Sequence, residues 1–225
     1  MTTEQKRIDG IIFDVDGTLL DSMEMWRNLD YEFLEGMGIT PDSDYTEAVN
    51  KMTLKEGVAY TKERYHLPMS EEDILETIRG MAKEFYYNRA ELKPCVKEFL
   101  EILSLKNIPM TIATSSQKDF ISHALERNGV ARFFSGIFSG SDLGINKTKP
   151  DLFLMAAESI GAEPEYTWVF EDSYHALETA KRAGFKTAAV YDQSNESFLE
   201  ATIREADLYL NDLSSMAVFL NTAGI

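Results

Sequence analysis

Four short stretches of this sequence carry side chains whose types and spacing can do chemistry together. Asp14 and Asp16 flank Val15 and precede Gly17 and Thr18. Thr114, Ser115 and Ser116 form a run of hydroxyls, Lys147 and Lys149 flank Thr148, and Glu171 and Asp172 precede Ser173. Four carboxylates in one place repel each other unless a cation sits among them, and hard oxygen donors of this kind suit Mg²⁺. A lysine beside helix N-terminal amides suits a phosphate group. Magnesium, phosphate and a carboxylate able to act as nucleophile together amount to phosphoryl transfer. Each stretch alone has a plainer reading. Asp-Gly is a turn signal, Glu171-Asp172 is a solvated loop, and Ser116 with Asp119 is the pattern of a helix capping box.

Whether these residues meet depends on the elements that carry them. The first ordered segment covers 8–13, and its core Ile11, Ile12, Phe13 is continuously apolar, as in a parallel strand buried on both faces. Similar runs recur over 108–113, 133–138, 167–170 and 187–191, with a weaker one over 208–210. Helical spacing of apolar residues fills the gaps over 97–105, 120–127, 152–160 and 176–183. The third of these starts after Pro150, and the last three stop near Gly129, Gly161 and Gly184. Strands alternating with helices predict an α/β fold, a doubly wound and mostly parallel sheet of the Rossmann-like kind. Ligands of such sheets bind beyond the carboxyl ends of the strands. Asp14, Thr114 and Glu171 stand at three of those ends. The region 23–90 differs. Trp26, Leu29, Phe33, Leu34 and Met37 recur at helical spacing, further helical stretches cover 55–64 and 71–87, and no strand pattern occurs. The expected organisation is an α/β core of residues 1–21 and 91–225, interrupted by an all-helical domain of residues 22–90.

FDVDGTLLDS, TIATSS, KTKPDLF and VFEDS, in that order, resemble the four motifs of the haloacid dehalogenase superfamily of phosphohydrolases. The resemblance covers nearly the whole chain, the inserted helices matching the family's cap domain. It is greatest to the branch of beta-phosphoglucomutases and phosphoglycolate-type phosphatases. The resemblance implies that Asp14 is the nucleophile that forms an aspartyl-phosphate. Asp16 is then the general acid and base, with its backbone carbonyl a metal ligand. It implies that Thr114 and the Ser115 amide bind the transferring phosphoryl group, with Ser116 beside them, and that Gly17 provides the sharp turn after the strand. Lys147 neutralises the phosphoryl oxygens and the nucleophile. Asp172 ligates Mg²⁺, and Glu171 is a second ligand or holds metal-bound water. Trp26 is the cap residue expected to face substrate. His66, His123 and His175 are read as surface or packing residues.

Departures from the family pattern narrow the reaction. The superfamily's dehalogenases and phosphonoacetaldehyde hydrolases lack an aspartate at the position of Asp16, so neither activity is expected. Beta-phosphoglucomutases usually carry a histidine ten residues after the second aspartate, where this chain has Trp26. The lysine motif has Thr148 in place of a proline, and a second lysine, Lys149. The expected function is a Mg²⁺-dependent phosphatase acting on a small phosphorylated metabolite. A sugar-phosphate mutase and a non-catalytic binding protein on the same scaffold are the alternatives.

Composition sets limits on partners and setting. Asp plus Glu number 38 against 22 Lys plus Arg, a net charge of −16. That disfavours nucleic acid and anionic membranes, whose binding is dominated by phosphate contacts. Cys95 is the single cysteine, so neither an internal disulfide nor a thiolate cluster is expected, in keeping with a reducing cytoplasmic setting. The leading residues MTTEQKRIDG lack an apolar signal core, and no run is long enough to span a membrane. A monomer or weak homodimer is expected.

Overall fold

A computed structural model describes residues 7–49 and 52–225, which divide into two bodies. One comprises the described residues up to Asp21 together with Ala90–Ile225, and the other is Ser22–Arg89. In chain order the elements are β1 (Gly10–Phe13), α1 (Met23–Gly36), α2 (Tyr45–Val49), α3 (Leu54–Arg64), α4 (Glu71–Asn88), α5 (Val96–Leu105), β2 (Met110–Thr114), α6 (Lys118–Arg127), β3 (Ile137–Ser139), α7 (Gly140–Leu143), α8 (Asp151–Glu158), β4 (Thr167–Glu171), α9 (Tyr174–Arg182), β5 (Lys186–Val190), α10 (Leu199–Glu205), β6 (Leu208–Leu210) and α11 (Met216–Ala223).

In the first body the six strands form one parallel sheet of order β3-β2-β1-β4-β5-β6. Its strands read as unbroken apolar runs because both faces are covered. Ile12, Ala113 and Val169 join Leu152 and Phe153 of α8 and Ala176 of α9 in one core. Successive side chains alternate faces, so Phe13 and Phe170 turn to the other side. There their rings meet Phe99 of α5 and Phe219 of α11 at centroid distances of 4.9 to 6.2 Å. The order reverses at β1, which pairs with β2 on one side and β4 on the other. This is the topological switch point, where the carboxyl ends of neighbouring strands diverge and leave a crevice.

The third strand is shorter than its apolar run. Ala131–Phe133 forms a 3₁₀ turn and only Ile137–Ser139 is strand. Phe134 instead packs its ring 6.1 Å from that of Phe13, so part of the run serves packing and not the ladder. Cys95, just before α5, takes φ 62°, a left-handed conformation that costs a non-glycine residue roughly 1 kcal/mol.

The second body is all helical. Ile74, Ile78, Ala82 and Tyr86 bury one stripe of α4 at four-residue spacing, and α1 packs on that helix through a stripe that includes Met25, Leu29 and Phe33. Capping boxes start α3 (Thr53 with Glu56) and α4 (Ser70 with Asp73), each worth about 1 kcal/mol. The buried Tyr45 hydroxyl bonds Thr61 Oγ1 at 2.6 Å. No described helix is long and apolar enough to cross a membrane.

Candidate active site

The switch point positions the acidic residues. The Asp14 amide donates to the Phe170 carbonyl at 2.9 Å, continuing the β1–β4 ladder one residue past β1. That register sets Asp14 beside Glu171, the last residue of β4. Asp172 follows directly. Asp14, Glu171 and Asp172 are all buried, and each offers a carboxylate oxygen within 4.8 Å of the others. Lys147 lies among them and is buried too. Its ammonium donates to Asp14 Oδ1 and, at 2.8 Å, to Glu171 Oε2.

Lys147 reaches this point because the loop carrying it is folded tightly against the sheet. A Cβ on Gly140 would lie 2.4 Å from the Ile145 carbonyl oxygen and 3.4 Å from that of Thr114, so only glycine permits this approach. Lys149, two residues on, is exposed.

The electrostatics of the cluster follow from burial. When all three carboxylates are ionised, one ammonium leaves two negative charges uncompensated. Burial pushes the Asp14 carboxyl above its ordinary range, with Lys147 pulling the other way and Asp16 adding to the rise. Burial and the neighbouring Asp14 charge raise Glu171 to about 8, and the same causes hold Asp172 well above its ordinary value. Burial also works against the Lys147 charge, but Asp14 and Glu171 outweigh it and hold the ammonium above its usual range. Asp14 Oδ2 is buried and has no hydrogen-bond partner among the described residues. A cluster of hard oxygens that resist ionisation without a counter-charge, with one oxygen unpartnered among the described residues, fits a divalent cation.

The remaining residues close around this centre. Asp16 follows on the turn made possible by Gly17, whose φ is 83°. Asp16 Oδ2 accepts from Ser116 Oγ at 2.6 Å. Buried Thr114 ends β2, and its Oγ1 accepts from the Ser116 amide at 3.1 Å. Ser115 is exposed. The capping box read from Ser116 and Asp119 does not form. Helix α6 starts at Lys118 after Gln117, one residue later than that reading requires, with no side-chain cap; the Ser116 hydroxyl instead turns to Asp16. His175 is exposed and packs edge-on against Phe198, with centroids 5.1 Å apart. One polar neighbour had no signal in the sequence. Asn195 Nδ2 donates to Asp172 Oδ2 at 2.8 Å, from a 3₁₀ segment, Gln193–Phe198, that no periodicity marks.

A family model for haloacid dehalogenase-like hydrolases matches residues 11–190. The chain belongs to that family. A phosphorylated carbohydrates phosphatase of Thermotoga maritima is 26% identical over 179 residues, covering 80% of this chain and 83% of that protein. A Drosophila melanogaster protein provisionally named a pseudouridine-5'-phosphatase is 30% identical over 193 residues, covering 83% of each. A Thermotoga maritima crystal structure provisionally named a beta-phosphoglucomutase superposes with a TM-score of 0.81 at 25% identity, covering 94% of this chain and 98% of that one. The hydrolase family thus accounts for the doubly wound sheet and the helical insertion together.

Trp26 lies in the helical body, where its Nε1 donates to Tyr86 Oη at 2.8 Å. It lines a cavity of about 170 Å³ together with Leu29, Asp30, Met52 and Leu54. Asp30 Oδ1 is buried there without a hydrogen-bond partner among the described residues, and burial raises its carboxyl to about 6 from an ordinary 3.8. The folded state therefore holds the proton more tightly than the unfolded chain. The stability penalty is absent below pH about 4, grows as pH rises through 4 to 6, and is complete above 6. It amounts to about 2–3 kcal/mol. Asp30→Asn removes the charge, so its thermal midpoint relative to wild type is expected to rise between pH 4 and pH 7.5. Melts of both proteins at the two pH values check this; a difference independent of pH contradicts it.

Proposed function

We propose that this hydrolase is a Mg²⁺-dependent phosphatase that cleaves a small phosphorylated metabolite through an aspartyl-phosphate on Asp14. The observation that carries the reading is the buried Lys147 ammonium bridging Asp14 and Glu171 beside Asp172. An isolated ion pair would need no third carboxylate, and a merely structural cluster would not leave an Asp14 oxygen unpartnered. The phosphatase names of the relatives point the same way.

In this reading Asp14, Asp172 and the Asp16 carbonyl would hold the metal, with Glu171 as a further ligand or the holder of a water on it. When bound, the metal neutralises the charge that carboxylates and phosphate accumulate at one point. Asp14 attacks phosphorus, and Lys147 offsets charge on the nucleophile and the phosphoryl oxygens. Thr114 Oγ1, which accepts from Ser116, keeps its own proton to donate to a phosphoryl oxygen, and the Ser115 amide lies next in the chain to do the same. Ser116 holds the Asp16 carboxyl, which protonates the leaving oxygen and then takes a proton from the water that hydrolyses the intermediate. Trp26 is the residue of the helical body assigned to recognition of the rest of the substrate.

A mutase is the second reading, favoured by the name of the structural neighbour. Trp26 disfavours it, since an indole committed to Tyr86 offers no titrating group. Incubation with a panel of phosphorylated metabolites separates the two: inorganic phosphate is the expected product, and an isomerised sugar phosphate without phosphate release would establish the mutase. EDTA is expected to abolish turnover and Mg²⁺ to restore it, whereas Ca²⁺, with its larger and looser shell, should not. Unchanged turnover in EDTA overturns the metal assignment.

A further inference from the structure

Lys93 carries a nearly buried charge that the reaction outlined above does not use. Its side chain is 14% exposed. Its ammonium has three protons, and three acceptors take them. These are the Gly17 carbonyl at 2.6 Å, the Tyr191 carbonyl at 2.9 Å and Asp192 Oδ2 at 2.9 Å. Its amide also donates to the Leu19 carbonyl at 2.8 Å. Lys93 thus grips the turn that follows Asp16 at two points and anchors it to the loop after β5. That loop is itself braced, since Asp192 Oδ1 accepts from the Ser194 amide and hydroxyl. Burying a lysine costs several kcal/mol unless its partners are well placed, and here all are.

We propose that Lys93 is a positioning residue for the general acid. Gly17 is the residue after Asp16, and its φ of 83° is one that most residues avoid. Holding its carbonyl fixes the Gly17–Thr18 peptide, and with the Leu19 contact it pins the turn that leaves Asp16, while Ser116 fixes the carboxyl end. With the turn after it pinned and its carboxyl held, Asp16 stays within the few tenths of an ångström that proton transfer requires. The step served is the first one. The Asp14 oxygen forms a bond to phosphorus, the bond from phosphorus to the leaving oxygen breaks, and the Asp16 carboxyl proton passes to that oxygen. The inference rests on the phosphatase reading and adds a residue to it.

A leaving group that needs no proton tests this directly. kcat/KM covers only steps through formation of the aspartyl-phosphate. It would be measured for wild type and Lys93→Met with p-nitrophenyl phosphate, whose phenolate leaves unaided, and with the alkyl phosphate that wild type cleaves best. Lys93→Met is expected to lower kcat/KM for the alkyl ester at least about tenfold more than for the aryl ester, a part of the hundredfold or more that a general acid supplies. Equal losses, or none, overturn the proposal. Equal losses with a raised Mg²⁺ requirement would place the effect on Asp172, through Asp192 and Asn195, and also overturn it. If Lys93→Met does not melt as a folded protein, Lys93→Gln serves the same comparison, because it removes the charge and keeps an amide donor. Wild type that releases phosphate from neither ester overturns the phosphatase reading itself.

Discussion

Asp14→Asn is expected to reduce phosphate release at least about a thousandfold, the scale of loss seen when a nucleophile is removed, while the protein remains folded. The substitution keeps the size of the side chain and its amide carbonyl can still accept from Lys147. It removes the attacking charge and weakens metal binding. The fold should tolerate it because Asp14 is a liability in electrostatic terms. Its carboxyl is pushed above the ordinary range by burial, and its charge raises both Glu171 and Asp172. Neutralising it relieves that repulsion and leaves Lys147 paired with Glu171. The expected pattern is therefore a dead enzyme with a thermal midpoint no lower than wild type in the absence of metal. Phosphate-release assays and thermal melts read the two halves separately. Substantial turnover by folded Asp14→Asn would exclude covalent catalysis at this residue.

The second large effect separates two lysines. Lys147→Ala is expected to cost at least about a hundredfold in turnover, as for removal of a charge partner of the transition state. Lys149→Ala should cost little. Lys147 is buried and donates to both Asp14 and Glu171. Lys149 is exposed and lies next to the start of α8, where the helix dipole disfavours a cation. Thr148 does not disturb this arrangement, because its amide and hydroxyl turn back to Asn146 Oδ1. Steady-state kinetics of both single variants on one substrate decide the matter, and equal losses would contradict the assignment to Lys147.

Much of this was legible in the residues. Strands such as Ile11-Ile12-Phe13 declared themselves because covered faces demand continuous apolar runs, and the acidic and hydroxyl residues followed at their carboxyl ends. The meeting of Asp14 with Glu171 needed one more fact, that β1 and β4 are neighbours across the switch point. Strand order follows from long-range pairing and has no local signature. The same holds for the polar bracing. Ser116 reads locally as a cap, but its hydroxyl is captured by Asp16, 100 positions away in the chain. Lys93 meets Gly17 and Asp192 across 76 and 99 positions. Asn195 sits in a segment too short and irregular for periodicity to mark. Side chains spent on tertiary hydrogen bonds look like ordinary surface residues until the loops are assembled.

The phosphoryl group on Asp14 is itself open to observation. Wild type quenched in acid during turnover, treated with borohydride to reduce any acyl phosphate, and mapped by peptide mass spectrometry should show Asp14 converted to homoserine in proportion to the phosphate captured. Asp16 and the other carboxylates should be unchanged. Homoserine at a different position, or steady turnover with no reduction at Asp14, would contradict an aspartyl-phosphate formed there.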